Sequence, residues 1–445
     1  MRKSYILFFM LVVLLLSACG SQQTAVTEEN ITSTDPVESE SEAGEPAVTV
    51  LPTVLPTNEI VASSGAAVCT VSKMDLPTPI PDTDLPYPPL REGDLVVGPD
   101  DALVTFLEYS EVQCPYCGLL EPELNKLYEA YPEDVKLVFR HLPLTSIHDK
   151  ASLGSQAMEA AALQGNFVDL KNRIFAEQAT WSEFSVAQFE EWILDEAEKL
   201  GLDPDQLKID MNSDAIVEKV ENSRQEAIGI GLQGTPSLFV NGISFEAYQA
   251  GNRDFATMER ILLFWKNIET VKEMQADEYE ECPPLVIDPN KDYTATIKTE
   301  KGDITLQLFP DIAQTTVNTF VFLANDGWYD DITFHRVIEG HVAQAGDPSG
   351  TGFGSPGFTY GLELDPDYRF DSAGIVGMAN SGSDANGSQF FITYEAKPTL
   401  DGNFTVFGKV IEGMDVAESL TPRDPSSGGN LPPGDKIHTI TIQEQ

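Results

Sequence analysis

Ala102 to Tyr109 (ALVTFLEY), then Cys114-Pro115-Tyr116-Cys117, then Gly118 to Tyr131 (GLLEPELNKLYEAY) is the stretch that decides the first half of this chain. The first segment is an apolar run of strand length. The last places apolar residues at 119, 120, 124, 127 and 128, a helical period. The two cysteines therefore fall at a strand-to-helix junction, with Cys114 at the helix N-terminus. There the helix dipole and unsatisfied N–H groups favour a thiolate, the form that attacks disulfides. Cys117 lies one turn inside and is better shielded. In this reading Cys114 exchanges and Cys117 resolves.

The remainder of the 445 residues divides by composition. Arg2-Lys3, an apolar stretch from Tyr5 to Leu16 and the small-residue site Leu16-Ser17-Ala18-Cys19 form a signal segment over 1–18, too short to span a bilayer. The site resembles the bacterial lipobox, which makes Cys19 the lipid-carrying first residue of the mature chain; the alternative is a plain secretory signal with an incidental cysteine. Both readings place the mature chain outside the cytoplasm, and the first anchors it to the cell membrane. With 27 basic and 71 acidic residues the net charge is −44, and −46 once Arg2 and Lys3 leave with the signal. Such a surface repels nucleic acid phosphates, so no nucleic acid partner is expected.

Five cysteines are present. With Cys19 lipidated and Cys114 and Cys117 forming one couple, Cys69 and Cys282 are left to pair as a structural disulfide in an oxidising compartment. Two free thiols, or a zinc site shared with the Cys-x-x-Cys, are the alternatives. No metal or cofactor is otherwise expected.

Residues 19–94 contain ten prolines, thirteen acidic residues and the single aromatic Tyr87, and read as a disordered, Pro/Thr/Ser-rich acidic tether. Residues 95–270 read as a first domain. A second strand is expected at Val135 to Phe139. Helical periods follow at Ala151–Leu163, Phe167–Gln178, Val186–Leu200 and Asp214–Ile228. A strand at Ser237–Val240, a turn at Asn241-Gly242 and a helix near Thr257–Ile268 complete the unit. The order β-α-β, helical insertion, β-β-α is that of an α/β thioredoxin fold with an inserted helical cap.

On Cys114-Pro115-Tyr116-Cys117, Gly234-Thr235-Pro236 and the helical insertion between them, this segment resembles the DsbA-like branch of the thioredoxin superfamily. The resemblance implies a cis Pro236 after Thr235, packed beside the cysteines and offering backbone groups to substrate. Pro122 falls where the superfamily kinks its active-site helix. Glu108, six residues before Cys114, matches the superfamily's buried acid, the proton acceptor for Cys117. The alternative for Glu108 is a solvated strand-end carboxylate. His141 and His148 read as ordinary loop or surface residues.

An acidic linker, 271–292, carries Cys282-Pro283-Pro284. Beyond it, 293–445 shows short alternating strands with turn residues and two helices, at Gln314–Asn325 and near Asp415–Leu420, an all-β barrel pattern. Phe334-His335-Arg336, Gln344-Ala345-Gly346-Asp347, Met378-Ala379-Asn380, Asn386 to Phe391 (NGSQFF) and Phe407-Gly408-Lys409-Val410 closely resemble cyclophilins. The resemblance implies isomerisation of X-Pro bonds, with Arg336 as the catalytic arginine, Gln344 and Asn380 as backbone anchors, Phe391 and Leu400 in the proline-ring pocket, and Ala379 and Gln389 lining the groove. His341 stands where the family has a pocket phenylalanine, Val342 where it has methionine, Thr399 where many members have tryptophan and Phe404 where they have histidine. His341 and Val342 are expected to shrink and polarise the pocket wall.

Disulfide exchange and prolyl isomerisation are the slow chemical steps in folding secreted chains. Their fusion points to an extracytoplasmic folding catalyst whose clients are exported proteins with cysteines and X-Pro bonds, served by a membrane redox partner. A disulfide reductase or isomerase, and a chaperone-like binding lipoprotein, are the competing readings.

Overall fold

The computed structural model describes residues 62–445 apart from 64, 249–250, 382–384 and 428–430. The signal segment 1–18, Cys19 and the tether to residue 61 lie outside the described residues.

The first domain is built on β2 (Leu95–Val97), β3 (Val104–Ser110), β4 (Val135–His141), β5 (Ser237–Val240) and β6 (Ile243–Ser244), preceded in the chain by the short β1 (Cys69–Val71). Its sheet runs β2-β4-β3-β5-β6. β3 and β4 pair in parallel from Val104 opposite Val135 to Ser110 opposite His141; the other pairs are antiparallel. β3 is buried along most of its length, as expected of a central strand covered on both faces. One face carries α1 (Pro115–Ala130), through Leu120, Leu124 and Leu127. Six helices intervene between β4 and β5: α2 (Ala151–Leu163), α3 (Phe167–Ala176), α4 (Gln178–Trp181), α5 (Val186–Lys199), α6 (Pro204–Met211) and α7 (Asp214–Gly229). They enclose a core centred on Trp181, Phe189 and Ile193. α8 (Phe255–Met274) packs Met258, Ile261, Leu262 and Trp265 on the sheet beside α1.

The second domain holds β7 (Tyr293–Thr299), β8 (Gly302–Leu308), α9 (Gln314–Asn325), β9 (Arg336–Ile338), β10 (Val342–Ala345), β11 (Phe358–Tyr360), β12 (Ile375–Asn380), β13 (Asn386–Thr393), β14 (Val406–Glu412), α10 (Met414–Glu418) and β15 (Ile437–Glu444). The sheet follows β11-β13-β12-β14-β8-β7-β15, with β10 bridging β13 and β9. Backbone bonds from Phe334 to Asp435 and from Ile437 to Ile332 join the segment that leads into β9 to the start of β15. Phe320 of α9, Phe390 and Phe407 fill the interior, with ring centroids 5.3 to 5.4 Å from Phe320.

Two expectations need correction. The described part of the tether is packed against both domains, because its few apolar and backbone groups find partners in them. β1 adds an edge strand to β11 of the second domain, Cys69 opposite Tyr360. Ala67 donates to Glu363, whose carboxylate also caps the N–H groups of Thr315 and Thr316 at the start of α9, where Ala313 offers no cap of its own. Farther on, Tyr87 is buried with Leu107, Tyr109 and Phe239 of the first domain, and the Pro88 and Pro89 carbonyls accept from Arg140. The linker 271–292 begins inside α8 and then lies on the second domain. Tyr279 packs between Phe322, Trp328 and Phe358, Ile287 is buried, and Asn318 bonds both Val286 and Pro284. Cys69 and Cys282 are joined by a disulfide across 213 residues, tying the described part of the tether, a strap over residues 65–94, to the linker.

Candidate active sites

The first site is set by the turn between β3 and α1. Cys114 is the N-cap residue of α1 and Pro115 opens the first turn, where a missing N–H costs no hydrogen bond. The Cys114 thiol lies 3.4 Å from the carbonyl of Thr235, and the Thr235-Pro236 peptide is cis. Gln178 donates to the carbonyls of Val112 (2.6 Å) and Cys114 (3.0 Å), fixing the loop from the helical insertion. It also explains Gly118, where a Cβ would stand 2.6 Å from the Gln178 oxygen. Both cysteines are free thiols.

Their environments differ in sign. The hydrogen bond from the Cys117 thiol, with contributions from Thr235 and the N–H groups of Tyr116 and Cys117, outweighs burial and holds the Cys114 thiol down to about 5. Burial first, then Cys114 and the carboxyl of Glu108, push the Cys117 thiol up. Glu108 is itself buried on β3, and burial followed by the nearby Glu121 carboxylate raises it well above the usual carboxylate range. Its Oε2 has no hydrogen-bond partner. Glu121, inside α1, pairs with Lys171 of α3 at 2.5 Å, and Lys171 partly offsets the rise at Glu108. Glu108 and Lys171 line a small internal cavity with Leu95, Phe139 and Phe167.

Glu121, Lys171 and Gln178 were not singled out in the sequence. An acid between Leu120 and Leu124 on an apolar helix face was the available sign for Glu121; nothing local marks Lys171 or Gln178, which arrive through tertiary packing. His141 corrects its loop-or-surface reading, whereas His148 lies half-buried in a loop. His141 is buried with Nε2 3.0 Å from Glu159, and His148 Nδ1 bonds the buried Glu111 just before Cys114. His141 is drawn inward by Glu159, a carboxylate that the helical insertion buries.

The second site lies on one face of β9, β10 and β13. Gln344 stands opposite Arg336 on one side and Phe391 on the other. Arg336 Nη1 is 3.5 Å from Gln344 Oε1, Gln344 Nε2 donates to Gln389 Oε1 at 3.0 Å, and Gln389 Nε2 donates to the carbonyls of Gly352 and Gly354. Next to this row is an apolar cluster of Val342, Phe370, Phe391 and Val406, with Ala379, Leu400 and Phe404 partly buried against it. Phe404 meets Phe391 edge-on at 5.5 Å, and Phe370 stacks on Phe391 at 5.5 Å. Gly377 makes room for both rings, since a Cβ there would be 2.5 Å from Phe391. Asn380 reaches across to the Asn403 carbonyl at 2.8 Å. His341 sits in the turn after Ile338, half-buried. Burial and the Arg336 charge lower its pKa, so it is a neutral ring at neutral pH. Phe370, a wall of the cluster, was not singled out, because it lies in a loop with no alternating pattern.

Such a face can do one kind of chemistry without a nucleophile. A fixed cation beside an apolar ring pocket, flanked by amide groups that bind backbone, suits rotation about an amide bond.

Residues 294–442 match the family described as cyclophilin type peptidyl-prolyl cis-trans isomerase/CLD, and residues 91–262 match one described as Thioredoxin. Peptidyl-prolyl cis-trans isomerase B of Bacillus subtilis is 47% identical over 121 residues, 27% of this chain and 85% of that protein. A peptidyl-prolyl cis-trans isomerase of Helicobacter pylori is 46% identical over 132 residues, 29% of this chain and 81% of that one. Peptidyl-prolyl cis-trans isomerase A of Mycobacterium tuberculosis is 39% identical over 181 residues, 36% of this chain and 98% of that one.

Proposed function

This chain belongs to the cyclophilin-type peptidyl-prolyl cis-trans isomerase family and carries a thioredoxin-like domain ahead of the isomerase domain, and from that premise we propose that it is a folding catalyst joining prolyl isomerisation to thiol oxidation. In the isomerase groove the Arg336 guanidinium donates to the prolyl nitrogen as its lone pair leaves amide conjugation. Gln344 and Asn380 hold the flanking backbone, and the ring sits against Phe391, Val342, Leu400 and Phe404. Ala379 and Gln389 line the approach.

The observation that carries the thiol half is the opposite tuning of Cys114 and Cys117. A stabilised Cys114 thiolate stabilises the reduced pair and makes its disulfide oxidising, the DsbA-like direction. A client thiolate attacks Cys114 Sγ of the oxidised pair, and the S–S bond breaks toward Cys117, which takes its proton from Glu108. A second client thiolate then attacks the client sulfur of the mixed disulfide and releases Cys114 as thiolate. The client leaves oxidised, and two electrons stay on Cys114 and Cys117. A membrane redox partner with an oxidising cofactor removes them. Thr235 and the cis Pro236 present backbone to the client beside Cys114.

Cys19 carries the lipid, and the chain works on exported clients outside the cytoplasm, anchored to the cell membrane. Equilibration of the full chain with glutathione tests the direction of electron flow. A potential of about −180 mV or higher is expected, and one near −270 mV makes the domain a reductase. Globomycin-sensitive processing and loss of membrane association on Cys19→Ser test the anchor.

A further inference from the structure

The geometry points to Phe264 and Met274 of α8 as positioning residues for the isomerase groove, acting through the loop 347–357. The inference rests on the isomerase reading above and concerns what aims its arginine.

Gln389 joins this loop to the groove. Its two Nε2 hydrogens are both spent on backbone carbonyls of this loop, at 3.0 Å to Gly352 and 3.1 Å to Gly354. That fixes which end of the Gln389 amide faces Gln344, leaving Oε1 as acceptor for Gln344 Nε2 at 3.0 Å. Gln344 in turn can present only Oε1 to Arg336. The orientation of two amides and the aim of the guanidinium thus descend from where two glycine carbonyls sit. The bond to Arg336 is long, at 3.5 Å, so Arg336 has slack unless the row behind it is held.

The loop is pinned from within by Asp347, a buried carboxylate accepting from the N–H groups of Ser349, Gly352 and Gly354. Its outer side is pinned by the other domain. Phe264 of α8 meets Phe353 edge-on, with ring centroids 6.2 Å apart. The Met274 methyl lies 3.0 Å from where a Cβ on Gly354 would stand. Just past α8, the Tyr279 N–H donates to Pro356 at 2.9 Å, and the Tyr279 carbonyl lies 2.5 Å from a Cβ built on Gly357. The strap closes the junction. Ser72 donates to the Gly357 carbonyl at 2.9 Å, and Gln275 donates to the Met74 carbonyl at 2.8 Å. The Cys69–Cys282 disulfide binds strap to linker at this junction. Packed side chains, the loop backbone and two amides therefore lead from α8 to Arg336, the last link being the long one.

The test is a double-mutant cycle on the full chain with Phe264→Ala, Phe353→Ala and both together, reading kcat and KM for a prolyl peptide, with Phe264→Leu as rescue and Arg336→Ala as reference. Each single change is expected to lower kcat about tenfold with KM within about twofold, because aim is lost and the apolar pocket is not. The double variant should be no worse than either single one, Phe264→Leu should recover most of the loss, and the Cys114 alkylation rate should stay at its wild-type value. Wild-type kcat in both single variants overturns the inference, as do losses that multiply in the double variant. Should Phe264→Ala fail to fold, Met274→Ala takes its place in the cycle with the same expectations. Arg336→Ala equal to wild type overturns the isomerase reading itself, which separates the two failures.

Discussion

The two sites of this chain solve opposite problems with opposite materials. At Cys114 the fold displaces the proton affinities of its groups, a thiol held down, its neighbour pushed up, and a buried carboxyl pushed up behind them, and the proposed exchange draws on that displacement. At Arg336 nothing titrates in the course of the reaction. A row of amides and a guanidinium is fixed in place beside stacked rings, and the transition state brings the change in electron distribution to them. The contrast teaches that burial serves the first site by altering proton affinity and the second by removing conformational freedom.

Cys114→Ser gives the largest effect. Thiol exchange should vanish, while prolyl isomerisation keeps its wild-type kcat/KM; an isomerisation rate that falls with it breaks the separation between the sites. The pH dependence comes next. Alkylation of Cys114 by iodoacetamide should rise through a midpoint near pH 5, set by the lowered thiol, where an ordinary cysteine would have its midpoint at about 8.5. Over about pH 6 to 9 the isomerase rate should stay flat, because rotation about the amide bond transfers no proton. An alkylation midpoint above 7 dissolves the contrast. Third, Arg336→Ala should lower isomerase kcat/KM by about 10²- to 10³-fold, the cost of removing one fixed donor to a developing charge, and leave alkylation unchanged.

The contrast also marks what could be read from residue order. Strands flanked by turns, and the helix capped by Cys114, follow from local periodicity, so β3, α1 and most of the second sheet were legible. The helix α6 was missed although Asp203 caps it and Pro204 opens it, because eight residues carry too short a period. β1 has three residues in a stretch of tether composition, and its strand state exists only because β11 offers an open edge. Among site residues, Glu108 stood out as an acid in an apolar strand. Lys171 and Gln178 did not, since their meaning comes from the helical insertion folding back on α1. The row Arg336, Gln344 and Gln389 was legible from sequence resemblance, but its dependence on the Gly352 and Gly354 carbonyls was not.

The smallest of these effects probes the buried carboxyl of Glu108. Burial, followed by the Glu121 carboxylate, raises Glu108 well above the usual carboxylate range, and in the proposed exchange its protonated form hands a proton to the Cys117 sulfur as the S–S bond breaks, since Cys117, pushed up, is a poor leaving group without one. Glu108→Gln preserves shape and polarity but has no proton to give. Oxidation of a dithiol peptide by the full chain should slow about tenfold, with the Cys114 alkylation midpoint nearly unmoved, because Cys117 and the helix N-terminus set that midpoint. Stopped-flow oxidation beside an alkylation profile measures both. A rate equal to wild type removes Glu108 from the exchange; a midpoint that moves with the rate shows that the carboxyl acts on Cys114 through the field and not on Cys117 through its proton.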